Sequence, residues 1–467
     1  MRLIDLKMRW VLFVSLSALY SCEKNEVVEL PHNAESEELS ESESTLNYKA
    51  LYSQHHTMGI DEASELAVDA ARLLLDNDEM RSSQPREISN VYIMRKGESG
   101  LRLGTSEETL LPDTMAYVFN FADSAGYAVI CADDRVGCPV LACVENGSLE
   151  LGVESDNPGI NIFLDNAQVF MKRSILKFEQ ERDSLAKVAE DENKQSWDKD
   201  ELRKVIKGSY YLVLSDVYIN PLLKTAWGQN RPYNNECPIC EDRKNDLDNR
   251  KKVGCWAVAV GQVLAYHKNP KSMGGCTFDY DGMTSKKHAN DISSASYKYQ
   301  IAKLLREVGS IVDMDYGCKH SGTDAENLIP WLRKKGYDVL ATRYNWRTVY
   351  KQLGLHHPIL MHGKRSQHNI FYAENGHTWV IDGCKCTKTQ YETYRVDLDE
   401  GTYEITSSVT KYIDYYLHIN WGWNGDNNGY FAEGCFDIMK YDSLDEGSAQ
   451  LNDYNYKYEQ EIIILAD

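Results

Sequence analysis

The run Cys255–His267, CWAVAVGQVLAYH, constrains the fold more than any other stretch of the 467-residue chain. It lacks proline, carries Ala257, Ala259, Gly261 and Ala265, and is otherwise largely apolar. It therefore reads as a helix buried inside a domain and packed closely along its small-residue face. Gly254, just ahead of it, lets the backbone turn sharply. Cys255 then falls at the helix N-terminus, where unpaired N–H groups and the positive end of the dipole favour an anion. The thiolate is the nucleophilic form of cysteine, and such surroundings bring its pKa from ~8.5 into the range ~3.5 to 7.5. A small core hydrophobe is the commoner fate of a cysteine, and on this feature alone that role prevails.

A thiolate catalyst needs a partner imidazole. His267 shares the helix, but twelve residues at ~1.5 Å rise put it ~18 Å from Cys255, so it reads as a helix C-terminal residue. His377 stands in Glu374-Asn-Gly-His-Thr-Trp-Val-Ile-Asp-Gly383. The Asn-Gly turn delivers it to the first position of a strand, with Trp379 and Ile381 on its face. His368, in a loop, and His418, in mid-strand, are the alternatives. In Leu417-His-Ile-Asn-Trp-Gly-Trp-Asn-Gly-Asp426, Asn420 and Trp421 are adjacent and face opposite ways. Either one could orient His377, by a hydrogen bond or by covering the ring and excluding water; Trp423 reads as a packed indole. Upstream, Gln229 in Thr225-Ala-Trp-Gly-Gln-Asn-Arg-Pro-Tyr-Asn234 could offer its amide to an oxyanion together with the Cys255 N–H.

The chain is too long for one core, and its patterning divides it. Arg2, Lys7 and Arg9 precede the apolar run Trp10–Leu19, too short to span a bilayer, so residues 1–21 read as an export signal. Leu19-Tyr-Ser-Cys22 resembles a bacterial lipobox, which makes Cys22 a lipidation site and the membrane a partner through that anchor. The expected location is the cell envelope, at the outer membrane or cell surface, with release after processing as a further outcome. Residues 22–46 carry eight Glu against one Lys and no aromatics, and read as a solvated tether. Residues 47–207 read as a unit of mixed structure: a helix from Asp61, antiparallel strands at 116–121 and 126–132, and a long helix from Ile160 that gives way to a polar linker at 190–204. Residues 208–467 place helices first (after Cys255, and at 295–312) and short strands later (358–361, 378–381, 415–420, 461–465). The expected class is α+β, with two lobes and a cleft between them.

Composition and cysteine usage limit the function classes. A net charge of −20 without a basic run argues against nucleic acid. Twelve cysteines are scattered rather than arranged as a disulfide framework. Cys237-Pro-Ile-Cys240 lacks a second metal-type pair, and Cys384-Lys-Cys386 is a conceivable partner for it. A local disulfide or two free thiols is the expectation for each pair, with no metal and no cofactor assigned.

The Gly254-Cys255 entry into an apolar helix ending in Tyr266-His267, the Gly376–Gly383 turn, and His418-Ile-Asn-Trp-Gly-Trp423 together resemble the streptopain family of papain-like cysteine proteases, in order and in spacing. Val308–Gly317, which the residues alone give no role, resembles a further block of that family. The resemblance runs from Leu222 to the C-terminus. It implies a papain-like two-lobed domain over 208–467 that cuts peptide bonds in protein or peptide substrates. Cys255 is then the nucleophile and His377 its acid/base partner; Gln229 lines the oxyanion hole, and Trp421 stands beside the histidine. It also implies that residues 47–207 are a small α/β propeptide acting as an intramolecular inhibitor, with Gly126–Arg135 its closest match. Lys204–Lys207 at the boundary prompts the separate expectation that cleavage between about Glu201 and Tyr211 activates the enzyme. Trp256 departs from the family, which has a smaller residue there, as does Asn424-Gly425 in place of a Gly-Gly pair. Two other readings stay open: a surface adhesion or binding protein on a protease-like fold, and a transglutaminase-like acyl transferase using the same thiolate.

Overall fold

A computed structural model describes residues 55–75, 86–96, 109–194, 208–243, 249–364, 376–397, 402–436 and 461–466. The leader, Cys22, the acidic tether, His368 and residues 195–207 lie outside the described residues.

The N-terminal part opens with α1 (Ile60–Leu74), which carries Asp61 and Glu62 in its first turn, where they complement the dipole. Its buried face is Ala63, Leu66, Ala67, Ala70, Ala71 and Leu74, spaced by three and four as an amphipathic helix requires. Four antiparallel strands follow: β1 (Ile88–Arg95), β2 (Thr114–Phe121), β3 (Tyr127–Cys131) and β4 (Val140–Val144). Every residue of β3 and β4 is buried, so both faces of this sheet are covered. The long helix α2 spans Pro158–Lys194. It runs beyond Glu190, into the stretch expected to be a polar linker, where Glu and Lys are good helix formers.

The second part begins with β5 (Gly208–Ile219) and continues with α3 (Cys255–His267), the short strands β6 (Ser272–Met273) and β7 (Cys276–Thr277), and helices α4 (Tyr280–Met283), α5 (Ala295–Ile311) and α6 (Leu328–Lys334). Ser294 caps α5 by accepting from the Tyr297 N–H. Then come β8 (Asp338–Arg343), α7 (Trp346–Gly354), β9 (Ile359–Lys364), the long hairpin β10 (Gly376–Asp397) and β11 (Thr402–Asn420), β12 (Gly429–Ala432) and β13 (Glu461–Ala466). Among the described residues no helix is long and apolar enough to cross a membrane.

The two parts share one sheet, in the order β1-β2-β3-β4-β12-β11-β10-β9-β13-β8, with β5 also paired to β10. The junction is antiparallel pairing of β12 with β4, Gly429 opposite Val144 and Phe431 opposite Ala142. The class is α+β, as the order of helices and strands indicated.

Alternation along the central strands separates two cores. Trp379, Ile381, Ile359, Met361, Ile462 and Ile464 face α1, α2 and α7. Val380, Leu360, Ile463 and Leu465 face α3, α5 and α6. Because successive strand residues point to opposite faces, His377 belongs to the first side and Thr378 to the second. This division decides what meets Cys255.

Candidate functional site

Cys255 is the first residue of α3, and Gly254 before it has φ +93°. That conformation suits glycine, and a Cβ there would also come 2.6 Å from Met314 Cε. The Val308–Gly317 block therefore has a structural role. Met314 packs on the Cys255 turn, Lys252 N–H donates to Gly317 O at 3.0 Å, and Ser321 Oγ donates to Lys252 O at 2.7 Å. A disulfide between Cys240 and Cys318 fastens this loop. The expectation for Cys237 and Cys240 is corrected here: Cys240 bonds a cysteine 78 residues away, and Cys237 is a buried free thiol. Lys251 and Lys252 donate to Tyr316 O and Gly317 O and so bring Cys318 to Cys240, a long-range proximity that local spacing does not contain. Cys384 and Cys386 are both free and buried.

A buried amide network positions the segments around the thiol. Gln262 of α3 is fully buried, and its Oε1 accepts from Thr225 Oγ1 (3.0 Å) and from Trp227 N (2.9 Å). Its Nε2 donates to Asn420 Oδ1 at 3.3 Å, while Asn420 Nδ2 donates to Thr225 O at 2.7 Å. The same Asn420 oxygen accepts from Gly422 N at 3.2 Å. One glutamine thus ties the Cys255 helix to the loop carrying Gln229 and to the segment carrying Trp421. Gln262 was not among the expected site residues; its only sequence signal is a lone polar side chain within an apolar helix. Asn420 is committed to this network and does not orient His377.

Gln229 is largely buried, and its carbonyl accepts from Val253 N at 3.2 Å, so its loop lies alongside the turn into Cys255. Asn424, with φ +58°, holds the neighbouring loop: its N–H donates to Trp227 O at 3.1 Å, and Tyr233 OH donates to its Oδ1 at 3.0 Å.

His377 lies on β10, 1% exposed, inside an aromatic box. The ring centroids of Trp379, Trp421 and Trp423 are each 6.2 Å from its own. Nε2 lies 2.9 Å from the Trp421 carbonyl oxygen. A carbonyl only accepts, so Nε2 carries the proton and Nδ1 of the neutral ring is the free base. Trp421 serves His377 twice, through its carbonyl and through its indole. The fourth wall is Gly159, in the first turn of α2: a Cβ added there would come 2.6 Å from Trp421 Cζ3 and 3.0 Å from His377 Cδ2.

The thiol and the imidazole face different partners. The Cys255 thiol has the polar groups of Thr378 as neighbours that favour its thiolate, and His377 bonds Trp421. Among the described residues the two make no hydrogen bond to each other. Burial pushes the Cys255 thiol above its ordinary value, against the pull of its hydrogen bonds. Burial holds His377 down at about 4. The expected lowering of the thiol by the helix terminus is thus outweighed by desolvation, and the pair rests as neutral thiol and neutral imidazole.

His267 ends α3, as its distance from Cys255 required. His418 is buried between two carboxylates, with Nδ1 2.6 Å from Asp382 Oδ1 and Nε2 3.1 Å from Glu145 Oε1. It is a structural ion pair that reaches into the N-terminal part, and Lys287 adds a second contact to Glu145 at 3.2 Å. Lys385, buried, donates to Leu74 O at 2.7 Å and so caps the C-terminus of α1. Among the described residues, the one group of three candidate metal ligands is Cys240, Asp242 and Cys318, and two of these are spent in the disulfide.

Residues 227–431 match the Peptidase C10 family. The chain is 23% identical over 282 residues to the thiol protease/hemagglutinin PrtT of Porphyromonas gingivalis, covering 53% of this chain and 27% of that protein. It is 23% identical over 243 residues to streptopain of Streptococcus pyogenes, covering 44% of this chain and 52% of streptopain. It therefore spans about half the length of streptopain and about a quarter of PrtT. Among solved structures, a fragment of Prevotella intermedia prointerpain A matches with a TM-score of 0.46 and 21% identity over 76% of this chain and 96% of that one. Active interpain A matches with a TM-score of 0.35 and 23% identity over 53% and 94%. Over residues 227–431 the chain is thus similar to the peptidase C10 family and to the streptopain-like cysteine proteases.

Proposed function

We propose that the chain is the precursor of a cysteine endopeptidase, with Cys255 as nucleophile, His377 as acid/base, Gln229 at the oxyanion site and Trp421 orienting and covering His377. The observation that carries this reading is the His377 tautomer: with Nε2–H given to the Trp421 carbonyl, Nδ1 is left as the base. In the reaction, Nδ1 takes the Cys255 proton and the thiolate attacks the scissile carbonyl. His377 then returns the proton to the leaving amine and activates the water that hydrolyses the thioester. The Gln229 amide and the Cys255 N–H face the developing oxyanion.

Residues 47–207 act as the inhibitory propeptide. The support is the seating of α2 on Trp421 and His377 at Gly159, the absence of a Cys255–His377 hydrogen bond among the described residues, and the Glu145–His418 and Leu74–Lys385 contacts. Activation follows cleavage between about Glu201 and Tyr211; residues 208–211 already belong to β5, so the scissile bond falls before or at the edge of that strand. Export by the leader and lipidation of Cys22 rest on the sequence pattern alone, and mass spectrometry of the mature N-terminus tests them.

The activity test compares processed wild-type protein with Cys255→Ala on an unfolded protein substrate. Loss of hydrolysis with an unchanged fold is expected, and retained hydrolysis overturns the assignment. Supplying a labelled amine separates acyl transfer from hydrolysis: incorporation in preference to hydrolysis contradicts the endopeptidase reading.

A further inference from the structure

The strand that joins the two parts of the sheet lies in a shaped seat. Gly429, Tyr430 and Phe431 of β12 stand opposite Val144, Cys143 and Ala142 of β4. The pairing continues past the strand ends: Glu145 N–H donates to Asn428 O at 2.8 Å, and Asn427 N–H donates to Asn146 O at 3.3 Å. Gly429 lets the two backbones close, since a Cβ there would come 2.4 Å from Cys143 O and 2.7 Å from Val144 Cα.

The seated segment is read on both faces. Val144 is buried in the core that holds Ile419, Trp421 and Phe431. Glu145, the next residue, points the other way. Its Oε1 lies 3.1 Å from His418 Nε2, and its Oε2 accepts from Lys287 Nζ at 3.2 Å. Asp382 holds the far side of His418, Oδ1 to Nδ1 at 2.6 Å, and its other oxygen accepts from Leu223 N at 3.1 Å. The basic pair is thus fixed from the protease side, while its acidic contact comes from the N-terminal part. Helix α2 covers the same region: Phe163 packs on Phe431 with centroids 4.9 Å apart, and a Cβ at Gly434 would come 2.5 Å from Phe170 Cε2. Loss of residues 47–207 would therefore open a strand edge flanked by aromatic side chains on one face and by His418 and Lys287 on the other. An open edge beside an apolar patch is a template for another extended chain.

We infer that, after removal of residues 47–207, the β12 edge docks extended segments of protein substrates that place an apolar residue beside a carboxylate, as Val144-Glu145 does. The inference rests on the reading of residues 47–207 as a removable propeptide and concerns a surface outside the cleavage cleft. β12 is separated from β10 by β11, so a docked strand lies three strand spacings, ~14 Å, from the strand of His377. Main-chain pairing supplies the attachment, and the Val144 and Glu145 positions supply the selection. A second copy of the chain suits this edge badly. Two-fold pairing of β12 with β12 would set His418 and Lys287 of one copy against those of the other, and like charges across a strand pair are destabilising.

The test uses the full chain carrying Cys255→Ala, before and after limited trypsin cleavage at Lys204 or Lys207. The probe is a fluorescently labelled peptide of the sequence Val140–Gly147 with Cys143→Ser, followed by anisotropy. It should bind the cleaved protein and not the uncleaved chain, where β4 holds the seat. Glu145→Gln in the peptide, or Lys287→Glu in the protein, should weaken binding about tenfold or more, because hydrogen bonds between charged groups are the strong ones. An unfolded acidic protein should displace the peptide, and the same protein with its carboxylates amidated should not. In cleaved wild-type protein the peptide should raise KM for the unfolded acidic protein and leave hydrolysis of a short fluorogenic peptide unchanged. A cleaved chain that takes up no peptide overturns the inference, as does equal binding of the Glu and Gln peptides. Binding that the unfolded acidic protein does not displace also overturns it, since the edge would then serve the N-terminal part alone. Binding is read without hydrolysis, so selective binding by a cleaved chain that hydrolyses nothing supports the docking site and counts against the proposed activity alone. An uncleaved chain as active as the cleaved one, with binding confined to the cleaved form, likewise supports the docking site and counts against inhibition alone.

Discussion

Gly159→Ala places a methyl group where α2 meets the His377 box. The added carbon would come 2.6 Å from Trp421 Cζ3 and 3.0 Å from His377 Cδ2, well inside normal contact. Trp421 has little room to retreat, because its ring packs on Trp379 at 5.1 Å and on Phe431 at 5.3 Å, and its side chain is fully buried. Overpacking of this kind costs ~1–3 kcal/mol, and a rigid aromatic wall favours the upper end. Alanine returns up to ~1 kcal/mol of helix propensity, leaving a net penalty of about 2 kcal/mol on the closed form. At 1.4 kcal/mol per factor of ten, that shifts the balance between seated and released α2 about 30-fold. The assay is urea unfolding of the full chain together with the rate at which residues 47–207 are cleaved away. Gly137→Ala is the control, since a Cβ there meets nothing within 4 Å. The variant should unfold at lower urea and process faster than both wild type and control. A Gly159→Ala protein as stable and as slow to process as the control refutes the view that α2 closes the site at this point.

The closed form should also respond to pH in two opposite windows. His377 is held at about 4 against an ordinary 6.5, so the closed form carries no protonation cost above 6.5 and loses on the order of 3 kcal/mol as pH falls toward 4, and processing should accelerate over that interval. His418 is lifted to about 9, because Asp382 and then Glu145 more than offset its burial; its contribution is complete below 6.5 and lost as pH rises through 9. Glu145→Gln should therefore flatten the alkaline limb of a stability–pH curve and leave the acid limb in place. Gln262→Leu removes the acceptor of Thr225 and Trp227 and strands buried donors, each costing ~1–3 kcal/mol, so urea unfolding should show a loss of about 3 kcal/mol or more. Replacing Cys240 and Cys318 by alanine opens a loop of 78 residues and should cost roughly 4.5 kcal/mol by the loop-entropy relation, read as a melting temperature below that of the oxidised wild type.

Much of the architecture is legible in local pattern. The helix at Cys255 announces itself by small and apolar residues without proline, α1 by its three-and-four spacing, and β10 by the turn that precedes His377. Cys255 and His377 are legible as motifs because each sits at the mouth of an element. Contact between distant segments is what local pattern does not carry. The continuity of β4 with β12 depends on two strands nearly 300 residues apart, and nothing in Val140–Val144 marks it as a partner for Gly429–Ala432. The role of Gln262 depends on three segments converging on one amide, and the Cys240–Cys318 bond on two loops meeting. The charge state at Cys255 escapes sequence reading for the same reason: a helix terminus is visible in sequence, whereas the enclosure that desolvates the thiol is assembled from β10, β9 and α3 together.

The central claim is that Cys255 and His377 form a cleavage site which the N-terminal part holds apart. The most direct measurement follows hydrolysis of an unfolded protein by the full chain, by the processed form beginning near residue 208, and by processed Cys255→Ala and His377→Ala. The account predicts little hydrolysis by the full chain, hydrolysis by the processed wild type, and loss of ~10³-fold or more in either substituted protein. Hydrolysis by the processed His377→Ala protein at the wild-type rate, or by the full chain as fast as by the processed form, contradicts it.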